Sequence, residues 1–138
     1  MAVEIMTFGS VLSLFRGLPT PIKQSIATKY EVHDSVLESW LTSLNAIRNI
    51  CAHHSRLWNR ELGYKPRIPT KNSTWNTPFS ISNNRVFAIL SIMKYMIDII
   101  IPASKWKERF KDLLIEFPEI PLTNMGFPQE WKEHEVWN

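Results

Sequence analysis

Residues 35–61 read SVLESWLTSLNAIRNICAHHSRLWNRE, the most clearly patterned segment of the chain. Leu37, Trp40, Leu44, Ile47, Cys51 and Trp58 recur at the steps that bring side chains to one face of an α-helix. Ser35 followed by Glu38 has the form of a capping box, in which each side chain satisfies an N–H that the first turn leaves unpaired. Gly63 supplies the stop, since glycine enters the left-handed conformation that closes many helices. The spacing therefore predicts one long amphipathic helix.

Working outward, residues 2–16 place Val3, Ile5, Met6, Val11, Leu12, Leu14 and Phe15 at helical spacings, ending at Gly17 and Pro19. A short helix follows from Pro21, a residue suited to a first turn, to Tyr30. On the other side, Gly63 to Asn84 holds Pro66, Pro69 and Pro78 among Asn and Ser and reads as a long irregular connection. An apolar helix is predicted from Asn84 to Ile101 and an amphipathic one from Ser104 to Phe117. The tail, with Pro118, Pro121, Gly126 and Pro128, reads as irregular and pinned by its two tryptophans. Strand signals are nearly absent. The expected fold is an all-α bundle of four to five helices, with a long irregular loop and an irregular C-terminal tail, forming one domain over residues 1–138.

Composition narrows the function. The chain is 44% hydrophobic and 21% charged, which suits a globular core and excludes a disordered polar segment. A net charge of +3 permits a nucleic-acid partner without requiring one, so the local arrangement of charge has to decide. The single cysteine, Cys51, rules out an intrachain disulfide and any paired-cysteine zinc site, and points to a reducing compartment. The opening MAVEIMTFGSVLSLF carries Glu4 and no basic leader, so it does not read as a signal peptide. The apolar run Val86–Ile101 is too short, and too charged at Lys94 and Asp98, to span a bilayer. A soluble, cytoplasmic protein is expected, with no membrane partner.

On a wheel of 100° per residue, a second stripe lies beside the apolar one: Asn45, Arg48, Asn49, Ala52, His53, Arg56, Asn59 and Arg60. It holds amides, guanidiniums and an imidazole but no carboxylate. A solvated helix face mixes both signs, whereas convergent N–H donors without acids suit an anion such as phosphate. The wheel sets Arg48 at the border of the apolar stripe, partly against the core, and His53 farther round the polar side. His53 can pass protons near neutral pH. A plainer reading stands beside this one. Basic side chains gather at helix C-termini through the macrodipole, which accounts for Arg56 and Arg60 without any function. His54 points toward Ile47 and Trp58 and reads first as structural. His33 and His134 have no spaced companions, and the adjacent His53 and His54 lack the spacing of a helical metal pair, so no metal or cofactor is expected. No nucleophile elbow or glycine-rich phosphate loop is present, and Cys51 falls on the core stripe.

The run Arg48–Arg60, RNICAHHSRLWNR, resembles the signature of Abi-like phage-resistance proteins, whose helical domain belongs to the HEPN (higher eukaryotes and prokaryotes nucleotide-binding) superfamily. The likeness extends to Glu4–Gly9 (EIMTFG), Lys65–Pro69 (KPRIP), Asn84–Ala88 (NRVFA), and Met125–Pro128 (MGFP) with Trp131. Arg48-x4-His53 alone is a weak motif. These pieces in order are a strong one, and they correspond to the family's C-terminal helical part without its usual N-terminal region. The resemblance implies a HEPN-like bundle acting as a metal-independent endoribonuclease in abortive-infection defence against phage. It implies that Arg48 holds the phosphate, that His53 is general base or acid, and that Asn49 stands at the polar position after the arginine. Asn45, Arg56, Asn59, Arg60 and His54 are the candidate substrate contacts around them. Two alternatives remain at this point: a non-catalytic RNA- or nucleotide-binding module, and an inactive interaction remnant of a longer protein.

RNA is the expected partner, and a homodimer is expected because 2′-OH chemistry wants both a base and an acid. Two His53 side chains facing across a two-fold axis would supply both. Nothing in the sequence names an antitoxin or a phage trigger. In the Gly63–Asn84 loop, Tyr64, Trp75 and Phe79 alternate with Lys65, Arg67 and Lys71. This pattern fits a stacking surface for single strands, or aromatics that simply seal the bundle.

Overall fold

The computed structural model describes residues 7–138. Five helices follow in order: α1 (Phe8–Gly17), α2 (Thr20–Thr28), α3 (Asp34–Ala52), α4 (Val86–Ile100) and α5 (Trp106–Glu116). Among the described residues there is no strand, so the fold is the all-α bundle that the periodicity predicts. Val3, Ile5, Met6 and the Glu4–Met6 half of the EIMTFG motif lie outside the described residues. α1 begins where the Thr7 hydroxyl accepts from the Ser10 N–H at 3.2 Å. In α2, Pro21 falls in the first turn, where its missing N–H costs nothing.

α4 is the central element. Val86, Phe87, Ala88, Ile89 and Ile92 are all buried along it. α3 meets it through three rings, with Trp40, Trp75 and Tyr95 having centroids 5.0 to 5.9 Å apart. The Tyr95 hydroxyl donates to Tyr30 O at 2.9 Å and ties α4 to the end of α2. Burial, then the neighbouring Glu31 carboxylate, pushes that phenol up to about 12. Also against α4, Phe87, Phe127, Trp131 and Trp137 form a second aromatic group with Phe110 of α5. Each buried tryptophan contributes roughly 4–6 kcal/mol from removed area before the entropy of ordering is subtracted.

The tail is therefore core, held by the two tryptophans and by a histidine to which the sequence assigned no role. His134 is fully buried. Its Nε2 meets Phe79 O at 2.9 Å, and its Nδ1 accepts from the Val136 N–H at 3.2 Å. That pair of partners selects the neutral tautomer with the proton on Nε2. Trp137 Nε1 donates to Ser91 Oγ at 2.9 Å and anchors the last turn to α4. In the long loop, Trp75 is buried and the Phe79 ring lies 4.9 Å from that of His134. Those two aromatics seal the bundle, while Tyr64 stays 63% exposed.

Candidate functional site

The helix that carries Arg48 is shorter than its periodicity predicts, and how it ends determines the site. α3 stops at Ala52 rather than running on to Glu61. The Ser55 N–H bonds to Ile50 O at 3.0 Å and the His54 N–H to Cys51 O at 3.1 Å. These are the two bonds of a Schellman motif, with His54 in the left-handed position at φ 54°. The stop is a histidine and not Gly63, which lies well beyond the helix. The other end differs as well. The N-cap is His33 without a side-chain cap bond, and Glu38 pairs with Arg16 at 3.3 Å and Lys23 at 3.8 Å instead of closing a capping box with Ser35.

The polar stripe consequently falls into two parts. Asn45, Arg48 and Asn49 sit on helix, His53 is its C-cap, and Arg56, Asn59 and Arg60 follow on irregular chain. From Arg48 to Arg56 every residue is exposed except the half-buried Ile50. Three expectations are corrected by this. Arg48 is not lodged against the core: its Nη1 donates to Asn49 Oδ1 at 3.1 Å on the surface. Cys51 is exposed rather than part of the core stripe. His54 likewise faces solvent and does not pack toward Ile47 and Trp58.

The remaining candidates divide between surface and framework. Asn45 is half-buried against α1, close enough that a Cβ on Gly9 would lie 3.6 Å from its Oδ1. Asn59 Oδ1 accepts from Arg85 Nη1 at 2.9 Å, and the same nitrogen reaches Asn124 O at 3.4 Å. Asn59 thus helps fasten the chain after α3 to the start of α4. The Leu62 N–H, donating to Asn84 O at 2.8 Å, does the same. Arg48, Arg56 and Arg60 are exposed, and among the described residues none has a carboxylate within ion-pairing distance. Glu61, the first acid after the stripe, is taken by Lys65 at 2.8 Å, which holds its carboxyl below the usual range. Such a surface can receive an anion, and the cations also oppose the negative end of the α3 dipole. Among the described residues no group of His, Cys, Asp and Glu is placed to hold a metal ion. No helix among them is long and apolar enough to cross a membrane.

The concave surfaces lie elsewhere, and the sequence reading missed them. A cleft of about 1000 Å³ opens between the end of α2, the link into α3 and residues 67–72. A second, of about 450 Å³, runs along α3 between Ser35 and Ser43 and is bounded by Gly63 to Arg67. Arg48 and His53 line neither. The one available signal was the recurrence of Ser35, Ser39, Thr42 and Ser43 along a helix face that the apolar stripe does not use.

No curated protein and no solved structure matches the chain. Residues 1–59 match the model of the family described as Abi-like protein, a stretch that includes α1, α2 and α3 and ends at Asn59. In the part that carries Arg48, Asn49 and His53, the chain is thus similar to Abi-like proteins.

Proposed function

We propose that the chain is a HEPN-type, metal-independent endoribonuclease of abortive-infection defence, with Arg48 and His53 as its working pair. The observation that carries this reading is the solvent-exposed end of α3, which has no acid among the described residues. There Asn49 steadies the Arg48 guanidinium at 3.1 Å, and His53 caps the same helix about 7.5 Å farther along its axis. In the reaction, His53 takes the proton of a ribose 2′-OH as that oxygen attacks the adjacent phosphorus. The bond from phosphorus to the 5′-oxygen breaks, and the departing oxygen takes a proton from an acid. The products are a 2′,3′-cyclic phosphate and a 5′-hydroxyl. Arg48 offsets the charge that grows on the phosphoryl oxygens. The acid is His53 of a second copy, brought across a two-fold axis. RNA between the copies offsets the repulsion of their like charges.

The test is incubation of the purified chain with labelled RNA in excess EDTA, beside His53→Ala. Cleavage by the unmutated chain and none by the variant supports the reading. RNA that is bound but left intact by both would replace it with a non-catalytic RNA-binding module.

A further inference from the structure

Beyond the end of α3, one segment of the long loop is built as a fixed ledge. Three side chains of α3 hold its backbone. Ser43 Oγ donates to Tyr64 O at 2.9 Å, the Arg67 N–H donates to Ser39 Oγ at 2.9 Å, and Trp40 Nε1 donates to Arg67 O at 2.8 Å. Pro66, fully buried between them, fixes its own φ and leaves the ledge little freedom. The side chains this rigid strip presents are nevertheless exposed. The Tyr64 ring is 63% open to solvent, and Arg67 is exposed on the ridge between the two clefts and lines both. Among the described residues the Arg67 guanidinium has no hydrogen-bond or ion-pair partner. The packing of the fold uses neither group.

This ledge is fastened to the same helix that carries Arg48 and ends at His53. At 100° per residue, Thr42, which lines the smaller cleft, shares a helix face with Asn49 and, eleven residues on, with His53. The rise of 1.5 Å per residue puts His53 roughly 16 Å from Thr42 along the axis. Glu38, which lines the smaller cleft, is already paired with Arg16 and Lys23.

We propose that the ledge at Tyr64 and Arg67 is a binding site for unpaired RNA, with Tyr64 stacking on a base and Arg67 holding a backbone phosphate, upstream or downstream of the bond at His53. The proposal rests on the RNA-directed reading of α3 and adds its substrate class, a single strand a few nucleotides long. An exposed aromatic ring next to a free guanidinium on a preorganised backbone is the arrangement that stacking and phosphate contact both require. A duplex does not fit, since its bases are stacked on each other and offer Tyr64 no free face.

The experiment measures binding apart from cutting. In a His53→Ala background, the affinity for a short fluorescent single-stranded RNA is compared for the parent, Tyr64→Ala, Tyr64→Phe, Arg67→Ala and, as a charge control far from the ledge, Lys111→Ala. Tyr64→Ala and Arg67→Ala are each expected to weaken binding about tenfold with an unchanged melting temperature. Arg67→Ala should also lower the slope of log affinity against log salt by about one. Tyr64→Phe and Lys111→Ala should stay within about twofold of the parent, and an RNA hairpin without free bases should bind at least about tenfold more weakly than the single strand. Equal affinity of all variants overturns the site even if the chain cuts RNA. Loss of binding in both alanine variants upholds it even if the chain never cuts. A parent that holds no RNA overturns it and leaves the ledge as a surface for a protein partner.

Discussion

Arg48 and His53 serve a phosphate in different ways, and their variants should separate. A guanidinium forms charge-assisted bonds to phosphate in the ground state, whereas an imidazole that moves a proton adds little to affinity. Arg48→Ala should therefore abolish cutting and weaken RNA binding about tenfold or more. His53→Ala should abolish cutting with affinity nearly intact, read by anisotropy beside a cleavage assay. Because Arg48 is exposed rather than set against the core, its removal should leave the melting temperature within about two degrees, as for other surface substitutions. His134 is the opposite kind of histidine. Burial pushes its imidazole below 6.5, and contacts with the Phe79 and Trp75 backbone and with Glu135 only partly oppose that. The unfolded chain then takes up the proton first as pH falls, so stability is full above about 6.5 and is lost below it, toward the lowered folded value. Thermal scans from pH 8 to 5 should show this decline. His134→Gln, which can keep a donor to Phe79 O but does not titrate, should flatten it, and an equal decline in both proteins would contradict the assignment.

At the scale of elements, three chain reversals close with the same pair of backbone bonds and differ in the residue at the left-handed position. α2 ends with Glu31 there at φ 54°, α3 with His54 at φ 54°, and the turn Leu122–Met125 with Gly126 at φ 85°. Gly126 is confined twice over, because a Cβ would lie 2.8 Å from the Cβ of Arg85. Gly126→Ala should cost more than about 2 kcal/mol, through the left-handed strain and the clash together. His54→Gly relieves strain and should raise stability by up to about 1 kcal/mol, measured by denaturant unfolding. Should it lower stability instead, His54 would be making a contact that its exposed position does not account for.

These endings also explain what could be read in advance. Pro21, the apolar run of α4 and the Leu37–Trp40 face each act locally, so helix number, order and core face were legible. The end of α3 was not, because histidine tolerates the left-handed region without signalling it as glycine would. Nor was the fate of the loop aromatics. Whether Trp75 turns in and Tyr64 turns out depends on partners far along the chain, including Trp40 and Tyr95 for the one and Ser43 for the other. Within the candidate site, the place of Arg48 and Asn49 on the helix was legible, while the position of His53 as its cap and the parting of Arg56, Asn59 and Arg60 from it followed from the same unsignalled stop.

Taken whole, the molecule offers a second copy two very different faces. One is the cationic end of α3. The other is apolar, with Ile100 and Ile101 exposed at the end of α4 and Ile115 and Phe117 exposed at the end of α5. Apolar patches of this kind often mark contacts, so the two faces compete as sites of self-association. If copies join through α3, like charges oppose each other and salt should screen the repulsion. The dimer fraction in sedimentation should then rise with ionic strength or with added RNA, and Ile115→Lys should leave it unchanged. A dimer that Ile115→Lys abolishes would turn both His53 side chains outward. The exposed Cys51, two residues before His53, bears on this choice in a practical way. A chain with one thiol, placed on the turn in question, accepts a single spin label or dye without any engineered cysteine. The separation of two such labels across an assembly then works as a ruler, short when the α3 ends meet and long when the apolar faces do.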